Sequence, residues 1–147
     1  MMTSTSTLGL YAQRINEAWN SHDIEGVLSF YAPGCVGEDV GTAIPLLGRD
    51  AMRTMLENYW RAFPDLKFEV VDSLAEGSRI AIFWIGEGTH QGTIMNIPPT
   101  GRRVRVRGVS IIEVEDGLIV RGQSIWDLAG MLRHMGLLPE LRSPETV

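Results

Sequence analysis

Cysteine is almost missing from this chain: Cys35 stands alone among 147 residues. One thiol excludes an intrachain disulfide framework, and with only His22, His90 and His134 scattered along the chain it cannot complete a zinc site. Long apolar runs are missing too. None approaches the roughly 20 residues that a membrane-spanning helix needs. The start, Met1 to Thr7, is rich in Ser and Thr but has no basic region and no apolar segment, so it reads as a loose tail and not as a signal peptide. A cytoplasmic protein is the expectation. Basic residues are in the minority, 13 against 18 acidic, and the net charge of -5 gives no reason to expect nucleic acid as a partner. The one basic cluster, Arg102 to Arg107, alternates along an expected strand and reads as a solvated or interface face.

What is present is enough to build a core. A 44% hydrophobic content in 147 residues fits one folded domain, 1–147, with 1–7 and 140–147 as flexible tails. Leu8, Tyr11, Ile15 and Trp19 follow helical spacing, which predicts a first helix from about Leu8 to Asn20. Asp23 is placed to cap a short second helix carrying Ile24, Val27, Leu28 and Tyr31 inward, ended by Pro33-Gly34. A short strand over Cys35 to Val40 and a loop to Gly48 follow. Met52, Met55, Leu56, Tyr59 and Phe63 form the stripe of a third helix, about Asp50 to Ala62, which Pro64 stops.

After Pro64 the period changes from helical to alternating. Strands are expected over Leu66 to Leu74 and Ile80 to Gln91, the second with Ile80, Ile82, Trp84, Gly86, Gly88 and His90 on one face. A loop, Gly92 to Gly101, leads to a hairpin from Arg102 to Trp126 with its turn at Asp116-Gly117. If Glu115 faces Leu118, then Ser110 faces Gln123 and Val106 faces Asp127, so that Gln123, Ile125 and Asp127 share the inner face; a slip of one residue would turn them all outward. Leu128 to Met135 closes the chain as a last helix ended by Gly136. The layout is α+β: a cone-shaped curved antiparallel sheet wrapped around three N-terminal helices, plus a short C-terminal helix. Its wide end should hold a pocket, with Met52, Met55, Met95 and Met131 as adaptable lining.

Several short stretches fall in a familiar order. Asn20-Ser21-His22-Asp23, Phe63-Pro64-Asp65-Leu66, Gly88-Thr89-His90-Gln91-Gly92, Pro98-Pro99-Thr100-Gly101-Arg102, Glu115-Asp116-Gly117-Leu118-Ile119, and Asp127 with Gly130-Met131-Leu132 and Met135-Gly136 together resemble the SnoaL-like polyketide cyclases of the nuclear transport factor 2-like superfamily. The resemblance implies a cofactor-free enzyme that closes a ring of an aromatic polyketide by intramolecular aldol condensation, with Asp127 as general acid and base. The chain departs from the pattern at Gln123, where many relatives carry tryptophan. Related reactions therefore stay open: hydroxylation, isomerisation or epoxide opening on the same cone, and so does a non-catalytic small-molecule-binding module.

Each candidate also has a structural reading. Asp127 precedes Leu128-Ala129-Gly130 and is a natural helix N-cap, whereas an acid in an apolar hollow is a base for a carbon flanked by carbonyls. His90 either polarises a substrate carbonyl and tunes Asp127, or is a satisfied structural histidine. Gln123 and Ser110 either satisfy each other or bind a substrate oxygen. Trp60, Trp84, Tyr11, Asn58 and Met55 are candidate pocket walls, with core the plainer reading of Tyr11 and Tyr59. Asp65 reads as a turn residue. The sheet's outer face, expected to carry Val109, Ile111, Val120 and Trp126, needs a cover, and a homodimer or higher homo-oligomer through it is the expectation. The expected partner in the pocket is a hydrophobic small molecule.

Overall fold

The structure, a computed structural model, describes residues 2–142. Helix α1 (Met2–Ser21) starts earlier than the apolar spacing predicts, taking in residues expected as a tail. Most of the expected C-terminal tail, residues 143–147, lies outside the described residues. Next come α2 (Ile24–Leu28), β1 (Tyr31–Asp39), β2 (Ile44–Leu47) and α3 (Gly48–Ala62). The second half is β3 (Lys67–Glu76), β4 (Arg79–Thr89), β5 (Arg103–Glu115), β6 (Leu118–Trp126) and α4 (Leu128–His134).

The six strands form one sheet in the order β2-β1-β6-β5-β4-β3. All neighbours are antiparallel except β1 and β6, which run parallel. That pair corrects the expectation of a purely antiparallel sheet. A parallel pair needs a long crossover, and the whole stretch from α3 to β5 supplies it. The expected loop after β1 holds β2, an edge strand where Pro45 is tolerated because its nitrogen has no ladder bond to make.

The α+β cone is otherwise as the alternation predicts. Inner-face residues Ile80, Ile82, Val104 and Ile112 are buried, while Arg103, Arg105 and Arg107 are exposed on the outer face. Asp116 and Gly117 both have positive φ, 52° and 78°, the backbone that a tight two-residue hairpin requires. Across the open edge of β3, the Asn20 side chain takes the Phe68 N–H at 2.8 Å and gives its own N–H to the Phe68 carbonyl at 2.9 Å. Helix α1 is thereby tied to the sheet, and the Phe68 backbone groups on that edge are paired.

One irregularity decides what faces inward. Between Glu113 and Val114 the β5–β6 register shifts, so Val114 pairs with Ile119 while Glu113 pairs with Arg121, and Val120 is the extra residue. Ile119 is fully buried and Arg121 is exposed, although both are odd-numbered; the bulge lets each find its own side. Beyond it Ser110 faces Ser124 and Gly108 faces Trp126. The expected pairings of Ser110 with Gln123 and Val106 with Asp127 are therefore corrected by one residue. Trp126 turns inward, and the outer face offers Phe83, Ile111 and Ile125 in its place.

Candidate active site

Between α1, α3 and the concave sheet lies a chamber of about 200 Å³. A water takes up roughly 30 Å³ in the liquid, so the space is several waters in size, room for a flat ring system. Its walls are overwhelmingly apolar: Trp19 and Ile15 from α1, Met52 and Met55 from α3, and Phe68, Val104 and Val106 from the sheet. Gly108, on the inner face, makes room for two of the tryptophans that wall it. At Gly108 an added Cβ would run into the Trp84 ring and come within 2.8 Å of the Trp126 Cβ.

The acid in this chamber is Asp39, at the end of β1, and only 4% of it is exposed. Tyr59 donates its hydroxyl proton to Asp39 Oδ2 at 2.6 Å, and Trp126 donates Nε1–H to Oδ1 at 2.6 Å. Charge-assisted bonds of this length fix a buried carboxylate that would otherwise be costly to bury. Each contributor comes from a different element. Helix α3 brings Tyr59, the bulge in β6 turns Trp126 inward, and Gly41, just after β1, leaves the space its indole fills. Burial first, and then the Asp39 charge and hydrogen bond, push the Tyr59 phenol above its ordinary range, so it keeps its proton and remains a donor.

Further along the wall, Trp84 donates Nε1–H to Ser110 Oγ at 3.0 Å, and the Ser110 and Ser124 hydroxyls are 2.8 Å apart. Of the expected binding residues, Ser110, Trp84 and Met55 thus meet in the chamber. The others do not. Gln123 borders it but pairs with Ile111 on the outer face and is exposed. Asn58 is exposed and accepts from Arg61 Nη2 at 2.7 Å. Tyr11 is core, its hydroxyl directed to the Phe30 and Gly117 carbonyls at 3.1 and 3.2 Å. Trp60 packs outside the lining, stacked on His22 with ring centroids 4.8 Å apart.

Asp127 stands apart from the chamber. It is exposed, and its Oδ1 accepts the Gly130 N–H at 2.9 Å as the N-cap of α4. The shifted register is the physical reason, since it turns every odd-numbered residue after Val120 to the outer side. Asp65 clamps a turn, accepting from the Thr89 N–H and hydroxyl and from Arg103; the Thr89 N–H bond, above all, holds its carboxyl below the usual range. Among the described residues no three His, Cys, Asp or Glu side chains converge to hold a metal ion, and no helix is long and apolar enough to cross a membrane.

His90 is fully buried behind the site. Its backbone bonds Arg102 and Gly101, and its Nδ1 accepts the Thr100 N–H at 3.2 Å, which ties the loop 91–101 to β4. Its Nε2 has no partner among the described residues. Burial lowers its basicity, so the folded protein holds a neutral ring. A folded pKa below the unfolded value of about 6.5 means the unfolded chain takes up the proton first. Stability should therefore be full above about pH 6.5 and fall as pH drops toward the lowered folded value. Thermal melts of wild type and His90→Phe between pH 7.5 and 5 test this: the variant should lack the part of the acid slope due to His90, and identical slopes would contradict it.

The model of the SnoaL-like polyketide cyclase family matches residues 9–135. AclR from Streptomyces galilaeus, a suggested hydroxylase, has 28% identity and a TM-score of 0.82 over 99% of this chain and 93% of its own. IdmH from Streptomyces antibioticus, a suggested polyketide cyclase, has 30% identity and a TM-score of 0.73 over 83% of this chain and 93% of its own. TsrD from Streptomyces laurentii has 25% identity and a TM-score of 0.79 over 90% and 97%. No curated protein matches. With the family model spanning α1 to α4 and the cone shared along almost its full length, the chain belongs to the SnoaL-like polyketide cyclase family.

Proposed function

We propose that the protein is a cofactor-free enzyme that closes a ring of an aromatic polyketide by intramolecular aldol condensation, with Asp39 as its acid–base group. The observation that carries this reading is a buried carboxylate, held by two donors, in a chamber whose walls are mostly apolar. An aldol closure needs a group that takes a proton from a carbon flanked by carbonyls. In the proposed step that proton moves to an Asp39 oxygen, and the electron pair left on carbon forms the new C–C bond to a ketone carbon. The ketone's π pair moves to its oxygen, and Asp39 returns the proton there. Met55, Trp19 and Phe68 hold the flat substrate and keep water out, which favours the folded, reactive pose. The proposal moves the acid–base role from Asp127, which caps α4, to Asp39.

Likeness to AclR over nearly the whole chain favours a second reading, hydroxylation of a substrate of the same kind, in which one atom of dioxygen enters the product and the other leaves as water on taking two electrons and two protons from an added organic reductant. Mass and NMR analysis of the product from an aromatic polyketide methyl ester separates the two. The aldol reading predicts a ring-closed product isomeric with the substrate, or lighter by one water. A product heavier by one oxygen atom, with no new ring, would overturn it.

A further inference from the structure

The protons on the serine wall of the chamber are not all used. An indole brings one donor, and a hydroxyl brings one donor and two acceptor positions. Trp84, Ser110 and Ser124 therefore bring three protons, and the two bonds that join them use two. One O–H is left over, whichever hydroxyl donates to the other. Among the described residues neither serine hydroxyl has another hydrogen-bond partner, and the Asn16 amide and the Asp39 carboxylate are engaged, Asn16 with the Phe68 carbonyl and Asp39 with Tyr59 and Trp126. Ser124 is also the register partner of Asp39 across the parallel β1–β6 pair, so the serine pair and the buried acid are neighbours.

We propose that the Ser110–Ser124 pair is the station that receives a carbonyl oxygen of the ligand, the ketone or quinone oxygen next to the carbon that Asp39 deprotonates. This rests on the catalytic reading of the chamber and names its substrate class: a flat molecule with a carbonyl oxygen close to an acidic C–H. In the order Trp84 to Ser110 to Ser124, each bond polarises the next and strengthens the last donor. A donor held in place before the reaction needs no reorganisation as charge develops on the oxygen it receives. A relay of neutral groups suits an apolar chamber, because it adds no charge that would have to be desolvated.

The test uses the whole protein and two probes of one shape, 9,10-anthraquinone and anthracene, with binding followed by quenching of tryptophan fluorescence. Wild type should prefer the quinone. The double variant Ser110→Ala with Ser124→Ala should lose roughly three- to tenfold in quinone affinity, the worth of one hydrogen bond, and keep its affinity for anthracene. Ser124→Thr, which keeps a hydroxyl, should keep the preference. An unchanged quinone preference in the double variant, or an equal loss for both probes, would overturn the proposal and leave the chamber reading standing. Failure of either probe to bind wild type would overturn both.

Discussion

Turnover of an aromatic polyketide ester should fall by about 10²- to 10⁴-fold when Asp39 is replaced by Asn, the range expected for loss of a general acid–base group. Asn preserves shape and can still accept from Tyr59 or Trp126 through its carbonyl, so the variant should keep the fold while losing the proton acceptor. The loss should appear in kcat with little change in KM, because the lost interaction acts on the proton in flight and not on the bound ground state. Asp127→Asn supplies the contrast. Asn is as good an N-cap as Asp, and the side chain at that position is exposed at the start of α4, so turnover should stay near wild type. Full activity in Asp39→Asn together with loss in Asp127→Asn would return the chemistry to the α4 cap.

Gly37→Ala should cost about 1–3 kcal/mol of stability and much of the activity. Gly37 pairs with Gly122 across the parallel β1–β6 junction, and a Cβ built on Gly37 would overlap the Gly122 carbonyl oxygen. Backbone cannot swing aside as a long side chain can, so the strands must separate or shift. Asp39 lies two residues further along the same strand, with Ser124 as its partner there. The same strain would therefore loosen the chain and misplace the carboxylate against Tyr59 and Trp126. Urea denaturation measures the first effect and turnover the second. A variant within about 0.5 kcal/mol of wild type would show that the junction has slack.

The parts of this fold that the sequence makes legible are those with strong local signals. Arg103, Arg105 and Arg107 alternating with Val104 and Val106 mark which side of β5 is wet, and Asp116-Gly117 marks its turn. Trp84, Gly86 and Gly88 sit on the inner face of β4 as their spacing predicts, and Ser110 with them. That Asp39 is the buried acid of the chamber is not legible in the sequence, for three physical reasons. Ile119 and Val120 are adjacent β-branched residues that suit either face of a strand, so nothing local marks the bulge; the exposed, polar Arg121 and Gln123 were the available sign that odd positions point outward. The β1–β6 pairing joins segments far apart in the chain, and pairing at that distance leaves no local pattern. Tyr59, read as core from its helical stripe, is a core residue whose hydroxyl serves the chamber.

The most direct measurement is a crystal structure of the protein with a hydroxyanthraquinone bound. The account predicts the ring system between Met55 and Phe68, a ligand oxygen on the Ser110–Ser124 pair and a ring edge against the Asp39 carboxylate. A ligand seated beside Asp127 at the start of α4, with the chamber closed by its own side chains, would contradict it.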